Sequence, residues 1–544
     1  MKISFVIPHY GQPGNLLNCL SSLRKYHPDD EVIVVDDATG DESVPGLCFM
    51  HNAALLVNEK NSGFAKTCNK GMKAATGDVI ILTNNDIIFA ENISEAMEQD
   101  VKDGAGIIGG LLFYPDGRVQ HGGVWAQGRR IGHFAHGAKL EESPLVMFKR
   151  FCLSVTGALY AITRKTYESI GNLNEEYKNC AEDTEYSLRA WDGGFKVLYD
   201  PRIKAIHAEG DTRGRTQEEK AVRGTLDDDN RSIKKLLEYM ASINYTRIVR
   251  KVSDMNAVMY SELQDVAFKR SYGLGDVVKM DAVITKYATI HPEKRIHVIT
   301  QYPDVFRRNA KIEGIYMNDA DCPTPLIYDF DNSYELWPDI EISEAYGKIC
   351  GVGKPFTPNV INSGAVDALV VRGKAKEINS QNPYVVISPS RSWACRDWPS
   401  ALWVELVKMI MREGVQVVEI GTGADYQFQK PIINLCDRLS INESHSVISS
   451  ARAFIGIDSG LLHVAETTRT PCVGLFTCAL PWKRISVRPM GAKTVPVLAD
   501  VKCAGCIHEQ IRKNEGPPEC ENDYECIKSI TAHQVFEAYK EAIK

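Results

Sequence analysis

From its first residues the chain alternates between short β-branched apolar runs and stretches whose apolar residues recur at helical spacing. Residues 3–7, 32–35 and 79–82 read as strands buried on both faces, since apolar residues follow one another without the polar alternation of a half-exposed strand. Between them Leu16, Leu17, Leu20 and Leu23 mark one face of a helix, and residues 64–75 read as another. This order restricts the chain to the α/β class with mostly parallel strands. The alternation resumes at 265–269, 297–300 and 384–388. It continues with a helical stripe of Trp403, Leu406, Val407, Ile410 and Met411, which has Pro399 near its start and Gly414 just after it. Strands at 415–420 and 454–457 come next, and a charged, helix-favouring stretch at 216–252 reads as a connector between the halves.

At 544 residues the chain is several times the usual domain size, so two or more cores are expected. A formal net charge of −7 lacks the basic excess that favours nucleic acid as a partner. The apolar runs fall far short of the roughly 20 residues of a membrane span, so no transmembrane segment is expected. Met1-Lys2-Ile3-Ser4-Phe5 runs directly into a strand without the apolar region of a secretory signal. Fifteen cysteines, an odd number and mostly single, fit a reducing compartment, so a cytoplasmic location is expected.

The strand at 32–35 ends in Asp36-Asp37, at the carboxyl edge where open α/β sheets bind ligands. A carboxylate there can accept hydrogen bonds from a ribose or a pyrimidine, although for an isolated pair a surface turn is the plainer reading. The residues downstream change the balance: Asn61-Ser62-Gly63-Phe64-Ala65, then Asn69 and Gly71, then Asn84-Asn85-Asp86 after the strand at 79–82. A polar triad ending in Asp at a strand end offers oxygen ligands to a hard divalent cation on a diphosphate. The later acidic pair Glu182-Asp183 can act as base on an incoming hydroxyl.

Together with Val6-Ile7-Pro8-His9-Tyr10, Val34-Val35-Asp36-Asp37-Ala38-Thr39, Tyr114-Pro115-Asp116-Gly117, Thr156-Gly157-Ala158 and Ile206-His207, this order resembles glycosyltransferase family 2, a GT-A fold, over residues 1–215. The resemblance implies Pro8, Tyr10, Asp36 and Asp37 at the nucleoside, Gly63 and Ala65 allowing close approach, and Asn69 and Asn85 at the donor. It implies Mn²⁺ or Mg²⁺ on Asp86 with His207 completing the coordination. It further implies Asp183 as the base, Glu182 beside it, and inversion at the anomeric carbon. One departure stands out: the family's Asp-x-Asp is here Asn84-Asn85-Asp86, with a neutral amide in place of one anionic ligand.

In the second half, Lys269-Arg270-Ser271-Tyr272-Gly273-Leu274-Gly275-Asp276 puts a glycine loop between a strand and a helix, a weak signal by itself. Ile455-Gly456-Ile457-Asp458-Ser459-Gly460-Leu461-Leu462-His463 is more informative, because the amides of Ser459, Gly460 and Leu461 would open a helix toward an anion. Ser388-Pro389-Ser390-Arg391 and Arg396-Asp397-Trp398-Pro399 supply cations for a diphosphate, and Asp458 can accept from donor hydroxyls. These pieces resemble glycosyltransferase family 9, the ADP-heptose:lipopolysaccharide heptosyltransferase type with a GT-B fold, from about residue 265 onward. The resemblance implies Asp276 as general base, although a helix N-cap is an equally good reading of it. It also implies Arg396 in place of a phosphate-binding lysine, the loop from Asp458 to His463 holding the pyrophosphate without metal, and Asp425 near the ribose. Cys503, Cys506, Cys520 and Cys526 form the one dense cysteine cluster; a structural Zn²⁺, with His508 as a substitute ligand, and simple burial are both open.

The expected layout is a GT-A domain at 1–215, a helical connector at 216–260, a short N-lobe at 261–380 and a nucleotide-sugar-binding C-lobe at 381–544. The expected function is a bifunctional inverting glycosyltransferase. It moves sugars from nucleotide-sugar donors, UDP-sugars among them, to a hydroxyl of a glycan or lipid-linked glycan, lipopolysaccharide or another surface polysaccharide. Two alternatives stay open: one active family 2 transferase with a family 9-like pseudoenzyme that binds acceptor, and a viral transferase acting on hydroxymethylated DNA bases. The net charge counts against the second.

Overall fold

A ten-stranded sheet organises the first part of the chain in the computed structural model. Its main order is Arg150–Phe151, Lys196–His207, Ala105–Phe113, Leu159–Thr163, Val79–Thr83, Ile3–His9, Glu31–Asp36 and Ala54–Val57. The last four pair in parallel, so the carboxyl ends of Ile3–His9, Glu31–Asp36 and Val79–Thr83 share one edge. Leu159–Thr163 runs antiparallel to both neighbours and ends the parallel run. The structure describes residues 1–127, 130–178, 180–208, 226–243, 245–307, 309–331, 333, 337, 339–354, 373–375, 377–378, 382–389, 393–423, 432–485, 492–508 and 520–544.

Helix Pro13–Tyr26 buries Leu16, Leu20 and Leu23, but Leu17 is 40% exposed. Leu17 lies a full 100° around the helix from Leu16, off the line that faces the sheet. Helix Phe64–Ala74 lies close on the sheet because of Gly71, where a Cβ would come within 2.3 Å of Val6 Cγ1 and 3.0 Å of Val35 Cγ2. The chain divides into two units, 1–261 with 320–325 and 262–319 with 326–544. The stretch read as a connector is helical at Leu226–Ser242 and Tyr245–Met259 and falls in the first unit. There Asn256 closes the backbone of Phe151 from both sides, accepting from its N–H at 2.8 Å and donating to its carbonyl at 2.9 Å. The short strand Arg150–Phe151 is thereby covered, which blunts an edge of the sheet.

The second unit contains two all-parallel sheets. One has the order Ile312–Tyr316, Arg295–Ile299, Asp265–Lys269, Ile327–Asp329. The other runs Ile433–Asn434, Gln416–Glu419, Tyr384–Ser388, Ala453–Ile457, Cys472–Phe476, Thr494–Leu498. Helix Ser400–Arg412 presents Trp403, Leu406, Val407 and Ile410 to the six-stranded sheet's core, and the Trp403 ring meets Trp398 edge-on at 4.9 Å. Among the described residues no helix is long and apolar enough to cross a membrane.

Candidate functional site

In the first unit three strand ends converge. Asp36 and Asp37 are each 5% exposed. Asp37 is an anchor for the loop after Asn58: it accepts from Asn58 Nδ2 at 2.8 Å and from the amides of Ser62 and Gly63 at 2.8 and 3.0 Å. Gly63 has φ +83°, so here glycine is required by the backbone conformation, and its amide is spent on Asp37. Pro8 is partly buried, Ala65 is buried, and Tyr10 stands 49% exposed beside them. Asn69, expected at the donor, has a different task. It donates to Leu173 O at 2.9 Å and Glu175 Oε1 at 3.0 Å and accepts from Leu173 N at 2.9 Å. At 2% exposure it ties down a distant loop instead of facing a ligand.

The triad comes directly after Val79–Thr83, and the short strand Ile87–Phe89 beyond it pairs antiparallel with the end of Lys196–His207, with His207 opposite Ile87. That register brings His207 to Asp86. Asp86 Oδ1 is buried and accepts no hydrogen bond among the described residues, while His207 Nε2 lies 3.1 Å away. Two neighbouring ligands of an octahedral cation with bonds of about 2.1 Å stand about 3 Å apart, so this spacing fits a shared Mg²⁺ or Mn²⁺. His207 Nδ1 is 2.9 Å from Gln120 Oε1 and 2.7 Å from Gln120 Nε2. A proton donated from Nδ1 to the amide oxygen leaves the Nε2 lone pair toward Asp86, as in histidines that hold metals. Asn84 Nδ2 is 3.3 Å from the same Nε2. Among the described residues no group of three or more His, Cys, Asp or Glu side chains is arranged around a metal position. A cation here would therefore complete its shell with water and phosphate oxygens.

Asp183 is the second residue of helix Glu182–Asp192, which begins directly after Ala181, whose φ is +71°. Its Oδ2 accepts from Gly157 N at 2.7 Å, and its Oδ1 accepts from Thr184 N at 2.6 Å. These bonds fix the carboxylate in one orientation. Glu182, 6% exposed, sits within 3.7 Å of a Cβ built on Gly157. The same backbone is gripped one residue earlier, where buried His121 accepts from Thr156 N through Nε2 at 3.3 Å. Ala158 O in turn accepts from Asn84 N at 3.0 Å, so base and triad share one short span of chain.

In the second unit the charges cancel within the protein. Asp276, in the first turn of helix Leu274–Ile290, meets Arg270 Nη2 at 2.5 Å and Arg484 Nη1 at 3.9 Å. Burial would raise its pKa, but Arg270 and Arg484 outweigh burial and hold it below the ordinary range. Asp458, at the end of Ala453–Ile457, meets Arg396 Nη2 at 3.3 Å, His463 Nε2 at 3.7 Å and Arg484 Nε at 3.8 Å. Here too burial is overcome by Arg396 and Arg484, and the carboxyl is held far below its usual value. Arg396 also donates to the Asp458 carbonyl at 2.9 Å. Burial lowers the His463 pKa, but Asp458 and Glu466 raise it further and keep it above the ordinary value. Ser459 precedes a helix of only seven residues, Gly460–Glu466, which includes Leu461 and His463. That helix can approach Leu274–Ile290 because Gly275 and Gly460 carry no Cβ: one on Gly275 would fall 2.3 Å from His463 Cδ2, and one on Gly460 would fall 2.8 Å from Leu274 Cβ. Arg391 and Asp425 lie outside the described residues.

Arg270, in the glycine loop but given no role by the sequence, and Arg484, with no local motif to announce it, complete this constellation. Arg484 ends the short helix Pro481–Arg484. Cys503, Cys506, Cys520 and Cys526 are among the described residues, in which no group of three or more His, Cys, Asp or Glu side chains is arranged around a metal position. Cys526 is 5% exposed in the hydrophobic core, Cys520 Sγ accepts from Tyr524 N at 3.2 Å, and His508 Nε2 accepts from Leu480 N at 3.1 Å. No chemical step is therefore assigned to zinc.

Residues 4–156 match the model of glycosyl transferase family 2, and residues 363–515 match that of glycosyltransferase family 9 (heptosyltransferase). The O-antigen biosynthesis protein RfbC of Myxococcus xanthus is 27% identical over 226 residues, 39% of this chain and 18% of that protein. Lipopolysaccharide heptosyltransferase 2 of Escherichia coli is 25% identical over 182 residues, 31% of this chain and 43% of that protein. The chain thus spans less than half the length of these two curated relatives. The crystal structure of E. coli ADP-heptose LPS heptosyltransferase II aligns with 52% of this chain and 98% of its own at 14% identity and a TM-score of 0.36. The chain therefore joins, in one polypeptide, a segment that matches glycosyl transferase family 2 to a segment that matches glycosyltransferase family 9.

Proposed function

We propose that the first unit transfers a sugar from a nucleotide-sugar donor to a hydroxyl of a glycan acceptor, with inversion at the anomeric carbon. The observation that supports this most is the pairing of Asp86 Oδ1 with His207 Nε2 at 3.1 Å, linked through the 156–158 backbone to Asp183. Asp86 and His207 would hold a Mn²⁺ or Mg²⁺, which when bound would supply positive charge for the diphosphate leaving group. Asp183 takes the acceptor's proton as that oxygen bonds to the anomeric carbon and the bond to the diphosphate breaks. The amides of Gly157 and Thr184 aim the carboxylate for this step. Asp36 reads the nucleoside, with Asp37 shaping the loop around it.

The second unit is proposed to bind a second nucleotide sugar, with Arg396 and Arg484 at the diphosphate and Asp276 as base. The names of the relatives, an O-antigen biosynthesis protein and a lipopolysaccharide heptosyltransferase, favour lipopolysaccharide or a related surface glycan as acceptor. One observation favours a second reading, in which this unit only holds a ligand. The Asp276 carboxylate is paired to Arg270 and has its pKa lowered, which makes it a weaker base. Release of nucleoside diphosphate across a panel of nucleotide sugars, with and without Mn²⁺, tests both readings. Asp183→Asn should abolish the metal-dependent release and Asp276→Asn the metal-independent one. An Asp276→Asn variant that keeps every transfer supports the ligand-holding reading, and a wild type that turns over no donor defeats the enzyme reading.

A further inference from the structure

His121 and His133 end the strands Val119–His121 and Arg130–His133, and their Nδ1 atoms meet at 3.0 Å. The His121 ring is fully buried, whereas His133 is exposed. The backbone decides which nitrogen of each ring holds a proton. The N–H of Thr156 can only donate, so His121 Nε2, 3.3 Å from it, accepts, and a neutral His121 carries its proton on Nδ1. That proton points at His133 Nδ1, which must accept it, so a neutral His133 carries its own on Nε2. Burial, and after it His133, Arg150, His207 and His136, holds the His121 pKa well below the ordinary range, so the buried ring stays neutral. A directed chain of hydrogen bonds thus runs between the exposed ring and the amide of Thr156.

A second proton on His133 does not fit this chain. Hydrogens on both Nδ1 atoms would repel across 3.0 Å. His121 could restore that bond only by moving its proton to Nε2, where it would face the N–H of Thr156. One of the two bonds is lost in either case. We propose that His133 is a positioning residue: while neutral it keeps His121 in the tautomer that grips Thr156, and its protonation releases the 156–158 span. This rests on the reading of Asp183 as base and deepens it, because Gly157 N aims Asp183 Oδ2 and Ala158 O accepts from Asn84 N. The groups that face the two rings are Arg150 from Arg150–Phe151, Tyr199 and His207 from Lys196–His207, and His136 with its partner Tyr114. Arg150 is a fixed cation over the Phe134 and Tyr199 rings at 4.1 and 4.8 Å. Its charge opposes a second proton at neutral pH, and uptake comes as pH falls through the ordinary histidine range, about 6.5.

Two measurements on the full chain test this, and only one of them needs turnover. Hydrogen exchange of the Thr156 amide, read by mass spectrometry and corrected for its intrinsic pH dependence, should lose about tenfold protection between about pH 8 and about pH 5.5. His133→Asn offers an amide oxygen at the Nδ1 position, an acceptor that does not titrate, and should keep that protection within about twofold. His121→Gln, with an oxygen at the Nε2 position, should keep it too. The second measurement is nucleoside diphosphate release from the panel of nucleotide sugars with Mn²⁺, restricted to the release that Asp183→Asn abolishes. Over the same pH range wild type should lose about tenfold more of this rate than His133→Asn. Protection that falls alike in wild type and His133→Asn, or that does not change with pH in wild type, overturns the role of His133. Equal loss of rate in the two proteins overturns the link to the base. If exchange differs as expected while Asp183→Asn leaves every release intact, the hold of His133 on Thr156 is supported and the reading of Asp183 falls.

Discussion

In the first unit Asp37 is held by Asn58 and the amides of Ser62 and Gly63, Asp183 by Gly157 and Thr184, and Asp86 is paired with His207. In the second unit Asp276 faces Arg270 and Arg484, and Asp458 faces Arg396, Arg484 and His463. Both sets stand at the carboxyl edges of parallel strands, yet dipoles orient the first set and full cations neutralise the second. Oriented dipoles leave negative charge over, which suits an added divalent ion. Guanidiniums already present can share their charge with an incoming diphosphate, so that no ion need be recruited.

The largest effect should come from removing the shared cation of the second unit. Arg484→Leu leaves two buried carboxylates short of a partner and is expected to cost about 3 kcal/mol in urea unfolding at pH 7. His207→Leu, at the corresponding place in the first unit, should change stability little while abolishing Mn²⁺ binding measured by titration. If both variants unfold alike, the contrast between the units is wrong. The pH dependence has a definite sign. Asp276 and Asp458 have folded pKa values below the ordinary 3.8, so their contribution is complete above that pH and is lost as pH falls below it. Arg484→Leu should shrink that acid limb.

A smaller effect is expected at Gln120, which touches His207 but not the metal position. Gln120→Ala should weaken Mn²⁺ affinity by about ten- to a hundredfold, and an unchanged affinity would remove Gln120 from the site. The last is confined to the pH range between two titrations and concerns Glu419, 2% exposed at the end of Gln416–Glu419, whose Oε2 has no hydrogen-bond partner among the described residues. Burial pushes this carboxyl from 4.5 up to about 7, the reverse of its arginine-paired neighbours in the same unit. The folded state then keeps a proton that the unfolded chain gives up, so stability declines as pH rises from 4.5 to 7. Glu419→Gln should flatten that decline in denaturant titrations at the two ends of the range.

The strands and the acidic edge of the first sheet were legible because each is written locally: an apolar run, then the polar residues at its end. Asn84-Asn85-Asp86, Asp183 and His207 could be placed in one site by their order. The partners that tune them could not, because Gln120 and His121 reach the site through pairings between distant strands, and periodicity does not carry such pairings. Asn69 shows the converse error. Its motif points at a ligand, but the backbone of Leu173, 104 residues away, takes both ends of its amide. Arg270 and Arg484 were missed for a similar reason: each gains its meaning only where two helix starts meet, at Gly275 and Gly460.

The pairing of Ile87–Phe89 with the end of Lys196–His207 has a consequence for the order in which the molecule is made. The parallel strands Ile3–His9, Glu31–Asp36 and Val79–Thr83 can associate once residue 84 has left the ribosome, whereas the pairing of Asp86 with His207 requires residue 207. The segment matching family 2 ends at residue 156, before Asp183 and His207. A nascent chain of that length would carry Asp36 and Asn84 without Asp183 and His207, so the pairing of Asp86 with His207 waits on a later part of the first unit.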